Sequence, residues 1–240
     1  DEIAQEMSGD AARMSSTAVV REFEPHLAAR WTAFVQAHPD ATLYHTLEWC
    51  GVIQAVFGHR PRYLVCERAG EVTGVFPLFH VAFPGLGPKL ISMPYDAGAG
   101  GPLATDPDSG HALAEKALDL CRQLGARFVQ FRCGGPNPAM AELPFVREEP
   151  LVMSEVDFSA SGSVWDRVAV GQRQAIRQAA TRGVQIREAE SLDDVHAYYQ
   201  VYLQAFREFG TPPYGPTYFP EVWNRIRPIK GVRLLIAEVE

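Results

Sequence analysis

A chain of 240 residues with 47% apolar and 21% charged residues carries enough apolar material for a sizeable core, which excludes wholesale disorder. Its formal net charge of −7 argues against broad nucleic-acid binding through phosphate contacts and leaves room only for a local basic patch. Asp1 to Ser16 is rich in small and acidic residues and lacks a basic start followed by an apolar core, so it reads as a mobile lead-in and not a signal peptide.

The first periodic segment is a strand, Val19 to Phe23, followed by a helix bearing Leu27, Trp31, Phe34 and Val35. A second helix carries Leu47, Trp49, Val52, Ile53, Val56 and Phe57 at the spacing of one amphipathic face and stops at Gly58. Arg62 to Glu67 and Val72 to Phe79 then form a hairpin that turns at Ala69-Gly70. The apolar stretch Val72 to Gly87 is too short and too interrupted by Pro77 and Pro84 to span a bilayer. Val81, Phe83 and Leu86 either project from a loop toward a membrane surface or pack as a hairpin tip on their own domain.

Lys89 to Met93 reads as a strand, and Pro94 to Pro102 is a loop of unusual glycine density that lets another backbone or a ligand approach closely. A helix over Ser109 to Leu124 and a strand over Ala126 to Arg132 follow, in the order of a crossover onto a neighbouring strand. Because Pro102 and Pro107 separate the glycines from this helix, the loop departs from the usual phosphate cradle.

Gln172 to Arg182 forms a helix that Gly183 stops and a strand beginning at Val184 succeeds. Arg173 and Arg177 are four residues apart and share one helix face. Two such guanidiniums either hold a carboxylate or phosphate or belong to a solvated helix paired with acids such as Glu188 or Glu190.

From Val184 the pattern of the first segment returns. A strand is followed by a helix with Val195, Tyr198, Tyr199, Tyr202, Leu203 and Phe206, then a break at Pro212-Pro213. A helix with Tyr218, Phe219, Val222, Trp223 and Ile226 and a strand over Val232 to Val239 complete it. The offset between Val19 and Val184 is about the length of one domain. The last strand ends where the first copy makes its hairpin turn at Ala69-Gly70, so either the chain is a fragment or its last strand is borrowed or frayed.

Cys50, Cys66, Cys121 and Cys133 are widely spaced among apolar neighbours and read as reduced thiols of a cytoplasmic protein. No Ser-His-Asp order, Cys-His pair or metal-ligand cluster offers a covalent or metal mechanism, and the seven histidines are scattered.

Strand, two helices and a hairpin leading into a longer mixed sheet resemble the GNAT acyltransferase core. Trp165, the Arg-x-x-Ile-Arg-x-Ala-x-x-x-Gly-Val run from Arg173 to Val184, the tyrosine-rich helix and Gly210-Thr211-Pro212-Pro213-Tyr214 leading to Phe219 are similar to the FemAB-like tandem-GNAT family. Tyr44-His45-Thr46-Leu47-Glu48-Trp49 resembles that family's aromatic-x-Gln-Ser-x-x-Trp opening of the second helix, and Gly101-Pro102 with Asp106 resembles its Gly-Pro-x-x-Asp loop. Ala175, Gln178 and His45 or Thr46 depart from the family pattern, which puts a peptidoglycan substrate in question. Gly-Thr-Pro-Pro-Tyr is closer to the branch associated with exopolysaccharide and protein sorting.

The resemblance implies an α/β mixed-sheet fold, GNAT-like, with the first copy complete and the second truncated after its first strand, two helices and second strand. Domains are then expected at 1–18 for the lead-in, 19–183 for the first copy and 184–240 for the start of the second. It implies transfer of an acyl or aminoacyl group to an amine of a cell-envelope precursor or related, lipid-linked acceptor. The donor is aminoacyl-tRNA, acyl-CoA or acyl-carrier protein, with no tightly bound cofactor and no metal. The protein works in the cytoplasm or, in peripheral contact, at the inner face of the membrane. Arg173 and Arg177 are expected to bind an acidic substrate group, Tyr95, Asp96 and Asp106 to contact the acceptor, and Tyr214 to line a groove; catalytic residues are not assigned. Acyl transfer to a small amine and a non-catalytic GNAT-like binding module are the alternatives.

Overall fold

The computed structural model describes residues 17–83, 85–95, 99–133, 143–146, 148 and 163–239; residues 1–16 of the proposed lead-in lie outside them, whereas Ala18 packs against the core of the first unit. The chain divides into two compact units, Asp1–Phe145 with Asn224–Gly231, and Val146–Trp223 with Val232–Glu240.

The first unit runs β1 (Val19–Glu22), α1 (Ala28–Ala37), α2 (Leu47–Phe57), β2 (Arg60–Pro61), β3 (Leu64–Arg68), β4 (Glu71–Phe76) and β5 (Phe79–Phe83). It continues through β6 (Gly87–Ile91), β7 (Leu103–Ala104), α3 (Pro107–Gln123) and β8 (Val129–Gln130). One sheet has the order β1-β3-β4-β7 and is antiparallel throughout; the other has the order β2-β5-β6-β8, with β6 and β8 parallel.

Local chemistry explains these boundaries. The Thr46 hydroxyl accepts the Trp49 N–H to start α2, and Gly58 ends it in the left-handed region at φ 67°. Ala69 and Gly70 both have positive φ, the backbone that a tight hairpin between β3 and β4 requires. Pro77 lacks an N–H, so the expected single arm breaks there: β4 stays in the first sheet and β5 joins the second. Helix α3 buries Leu113, Ala117, Leu120 and Cys121 against Leu64, Cys66, Phe76, Leu78 and Leu90, forming the main core. Trp31 is fully buried in a neighbouring aromatic cluster with Phe23 and Tyr63 and donates its indole N–H to the His45 carbonyl at 2.9 Å.

Of the two readings of Val81 and its neighbours, packing on their own domain holds for Val81, which lies on β5 and is buried, whereas Leu86 is exposed. The strand expected over Ala126 to Arg132 shrinks to the two residues of β8. Cys50, Cys66 and Cys121 are buried free thiols, whereas Cys133 is exposed.

The second unit contains α4 (Val164–Arg167), α5 (Val170–Thr181), β9 (Val184–Glu188), α6 (Leu192–Phe209) and β10 (Leu235–Val239); α7 (Tyr218–Ile226) precedes β10. Its small core joins Ala189, Val195 and Trp223, with Phe219, Leu234 and Ile236 packed against them. The last strand is neither lone nor frayed, since β10 pairs with β9 along five residues.

The repeat seen in the sequence extends to register. Glu22 opposes Leu64 in β1·β3, and Glu188 opposes Leu235 in β9·β10. The same correspondence carries Phe23 N–H to Tyr63 O (2.7 Å) onto Ala189 N–H to Leu234 O (2.9 Å). It also carries the Arg21–Glu67 ion pair onto Arg187–Glu238. In the first unit, Val20, Leu64 and Cys66 pack in the core beneath α3. Their counterparts Ile186, Leu235 and Ala237 are exposed.

Candidate active site

The one parallel strand pair among the described residues creates an opening. β6 and β8 pair at Leu90 with Val129 and at Ile91 with Gln130, and Ser92 N–H donates to the Gln130 carbonyl at 2.8 Å. Beyond this point the backbone after β6 twists. Met93 and Tyr95 flank Pro94 with φ of 48° and 72°, left-handed values that non-glycine residues adopt at a cost of about 1 kcal/mol or more each. Between Ile91 to Tyr95 on one side and Gln130 to Arg132 on the other lies a cleft of about 140 Å³. A crevice beyond the carboxyl ends of parallel strands is where open α/β sheets place ligands.

Tyr95 is the most constrained residue of this cleft. Its ring stacks on Phe57 with centroids 3.9 Å apart, and its hydroxyl lies 2.9 Å from His59 Nε2. The Arg132 guanidinium donates to its carbonyl at 3.0 Å. Burial raises the Tyr95 phenol above its ordinary range and lowers the His59 imidazole below its own, so both are uncharged at neutral pH.

The glycine loop serves another backbone. Gly100 and Gly101 N–H groups both donate to the Arg132 carbonyl, at 3.1 and 2.8 Å. A Cβ on Gly100 would stand 2.5 Å from Met93 Cγ, and one on Gly101 would stand 2.7 Å from Cys133 Sγ and 3.0 Å from the Arg132 carbonyl oxygen. The carbonyls of Ala99, Gly100 and Gly101 are also occupied: Thr42 Oγ1 donates to Ala99 at 2.9 Å, Ser92 Oγ to Gly100, and His45 Nε2 to Gly101 at 3.0 Å. The loop therefore ties the ends of β6 and β8 together and fixes the cleft walls.

Asp106 sits at the start of α3, where Pro107 occupies the first helical position instead of preceding the helix. Its carboxylate accepts the Ser109 N–H and hydroxyl, both at 2.9 Å, and pairs with Arg68 at 3.3 Å. Burial pushes this carboxyl up, but those hydrogen bonds and Arg68 outweigh it and hold the group below the usual carboxylate range. A carboxylate already caps the helix terminus that would otherwise attract an anion. Asp106→Ala is expected to lower stability by about 1 kcal/mol, read from the urea midpoint at constant slope.

The other expected site residues are distributed. Asp96 lies outside the described residues. In the second unit, Arg173 donates to the Trp165 carbonyl at 3.3 Å, and the Arg177 guanidinium lies over the Trp165 ring at 6.0 Å, so Trp165 brings the two arginines together. Glu188, one of the acids expected to pair with them, binds Arg233. Tyr214 is held by its backbone: its N–H donates to Tyr202 Oη at 2.9 Å, its carbonyl accepts from Tyr199 Oη at 3.0 Å, and its ring stacks on Tyr218.

His59 was not singled out by sequence reasoning, because only the folded chain brings it to Tyr95, 36 residues away. Among the described residues there is no group of three or more His, Cys, Asp or Glu suited to a metal ion, and no helix is long and apolar enough to cross a membrane.

No family model and no curated protein matches the sequence. Among solved structures, FemX superposes with a TM-score of 0.67 at 15% identity, covering 92% of this chain and 58% of its own. A GNAT family acetyltransferase from Staphylococcus aureus subsp. aureus USA300_TCH1516 gives a TM-score of 0.39 at 9% identity, covering 58% of this chain and 99% of its own. The aminoglycoside acetyltransferase AAC(6')-Iy, solved with a CoA bisubstrate analog, gives 0.40 at 14% identity, covering 59% and 99%. The chain has a GNAT-like α/β fold whose opening strand pairing recurs in the second unit, and it spans 58% of the length of FemX.

Proposed function

We propose that this chain belongs to an N-acyltransferase that moves an acyl or aminoacyl group onto an amine, with a cell-envelope precursor as acceptor. The observation that carries the reading is the cleft between β6 and β8, set in a fold shared with FemX over 92% of the chain. Such a site accelerates acyl transfer chiefly by holding amine and carbonyl in attack geometry. Residues 19–183 and 184–240 are the domains of this reading, supported by the matching registers of β1·β3 and β9·β10.

The capped start of α3 and the backbone bonds of Gly100 and Gly101 weigh against coenzyme A phosphates at that position, and the donor of this reading is aminoacyl-tRNA, acyl-CoA or acyl-carrier protein. Incubating the protein with charged tRNA, acyl-CoA and acyl-carrier protein in parallel, with an amine acceptor, tests this. Transfer from one donor is expected; transfer from none removes the reading. The same filled surfaces support a second reading, a non-catalytic GNAT-like module, which predicts acceptor binding without transfer from any donor.

Arg173 and Arg177 bind an acidic group of the substrate in this proposal. Arg177→Ala is then expected to weaken acceptor binding about tenfold, the effect of losing a hydrogen bond to a charged group. An unchanged dissociation constant in a folded variant would remove Arg177 from the site.

A further inference from the structure

Neither the phenol of Tyr95 nor the imidazole of His59 is needed merely to shape the cleft. Phe57 and Arg132 already hold the tyrosine, through its ring and its carbonyl. Yet the hydroxyl meets His59 Nε2 at 2.9 Å, with the two ring planes within 11° of each other. The backbone of Tyr95 is kept at a φ of 72° to put the ring there, and left-handed strain of this kind concentrates at functional sites. Both groups are uncharged at neutral pH, so the phenol has a proton to donate and the imidazole a nitrogen lone pair to accept it. Among the described residues, the titratable and charged groups near the imidazole include the Tyr95 phenol, Arg60, which follows His59 in the chain, and, through Tyr95, Arg132.

We propose that Tyr95 and His59 form a proton relay at the β6–β8 cleft, with Tyr95 touching the attacking amine and His59 acting through it. The relay rests on the acyl-transfer reading above. In the step, the lone pair of a neutral amine attacks the carbonyl carbon of the donor ester or thioester. The N–C bond forms, and the bond from carbonyl carbon to the leaving oxygen or sulfur breaks with its electron pair on that atom. One amine proton passes to Tyr95 Oη as the phenol proton passes to His59 Nε2. The reverse shift returns a proton to the leaving atom and restores both side chains. Tyr95 is then the catalytic residue and His59 a positioning residue that titrates.

The test is steady-state kinetics across pH on the intact chain, with whichever of the three donors is used. Y95F keeps the stack on Phe57 and is expected to lower kcat about 100-fold with little change in KM. H59Q keeps a hydrogen-bonding group but cannot take up a proton; it is expected to lose about tenfold in kcat. H59Q is also expected to lose the acid limb that the wild type shows below the ordinary histidine value of about 6.5. If Y95F does not fold, difluorotyrosine at position 95 lowers the phenol pKa at nearly constant volume and is expected to displace the pH profile toward lower pH. Wild-type kcat in both variants, an acid limb that survives in H59Q, or a profile unmoved by fluorination overturns the relay and leaves acyl transfer standing. No transfer by the wild type from any donor removes acyl transfer and the relay together.

Discussion

Alanine at position 45 is expected to destabilise the protein by about 3 kcal/mol, one of the larger effects a single substitution can have. The His45 side chain is 1% exposed and satisfies groups from two loops. Its Nδ1 accepts the Thr42 N–H at 3.1 Å, and its Nε2–H donates to the Gly101 carbonyl at 3.0 Å. Removing the ring leaves the buried Gly101 carbonyl and the half-buried Thr42 N–H without this partner and opens a void beside Trp31, whose indole donates to the His45 carbonyl. Chemical denaturation of the variant checks the magnitude; a loss below about 1 kcal/mol would mean the loops relax around the gap.

The same residue makes stability depend on pH. Burial lowers the His45 pKa, outweighing the hydrogen bonds to Gly101 and Thr42 that raise it. A folded value below the unfolded value of about 6.5 means that the unfolded chain takes up the proton first. Stability is therefore complete above about pH 6.5 and falls as pH drops below it, until the folded-state value is passed. His59 and His80 are shifted the same way, mainly by burial, and steepen the fall, each by up to about 1.4 kcal/mol per pH unit. Denaturation midpoints between pH 7.5 and 5 should show the decline, with a shallower slope in His45→Gln; a flat wild-type profile contradicts the assignment.

The second large effect is expected at the glycine clamp. Gly100→Ala and Gly101→Ala are each expected to cost about 2 kcal/mol, the usual range for forcing an atom into a packed interior. At Gly101 one obstruction is the Arg132 carbonyl, a backbone atom that cannot swing aside as a side chain can. Relief then requires the ends of β6 and β8 to separate, which widens the cleft and displaces Arg132 from the Tyr95 carbonyl. Under the proposed acyl transfer, both variants should therefore lose turnover beyond what their stability predicts. Thermal melts and turnover measured on the same samples separate the two losses, and full activity in a destabilised Gly101→Ala would detach the loop from the site.

The parts of the fold that local chemistry governs were legible in the sequence. Gly58 at a left-handed helix end, Ala69-Gly70 at positive φ and the three-and-four spacing of α2 and α3 each announce themselves within a few residues. Pro107 misled because proline breaks a helix interior yet suits its first position. Pro77 was visible, but that the chain changes sheets there was not, since sheet membership is decided by partners far along the chain. The candidate site was legible only in part for the same reason. Tyr95 was singled out by its place beside the glycines, whereas His59 gains its meaning from a contact across 36 residues. The glycines themselves pointed equally to a ligand and to a backbone, and only the Arg132 carbonyl decides for the backbone.

The matched registers of the two copies also set up a comparison that few molecules provide. Arg21–Glu67 and Arg187–Glu238 occupy equivalent cross-strand positions, yet the Glu67 side chain is 6% exposed and that of Glu238 is 52% exposed. The protein thus holds one ion pair in two solvents. Each pair has a third partner, Arg30 on Glu67 and Asp194 on Arg187, and added salt should weaken the outer pair more than the inner one, whose carboxylate is buried; a double-mutant cycle at each site measures the difference.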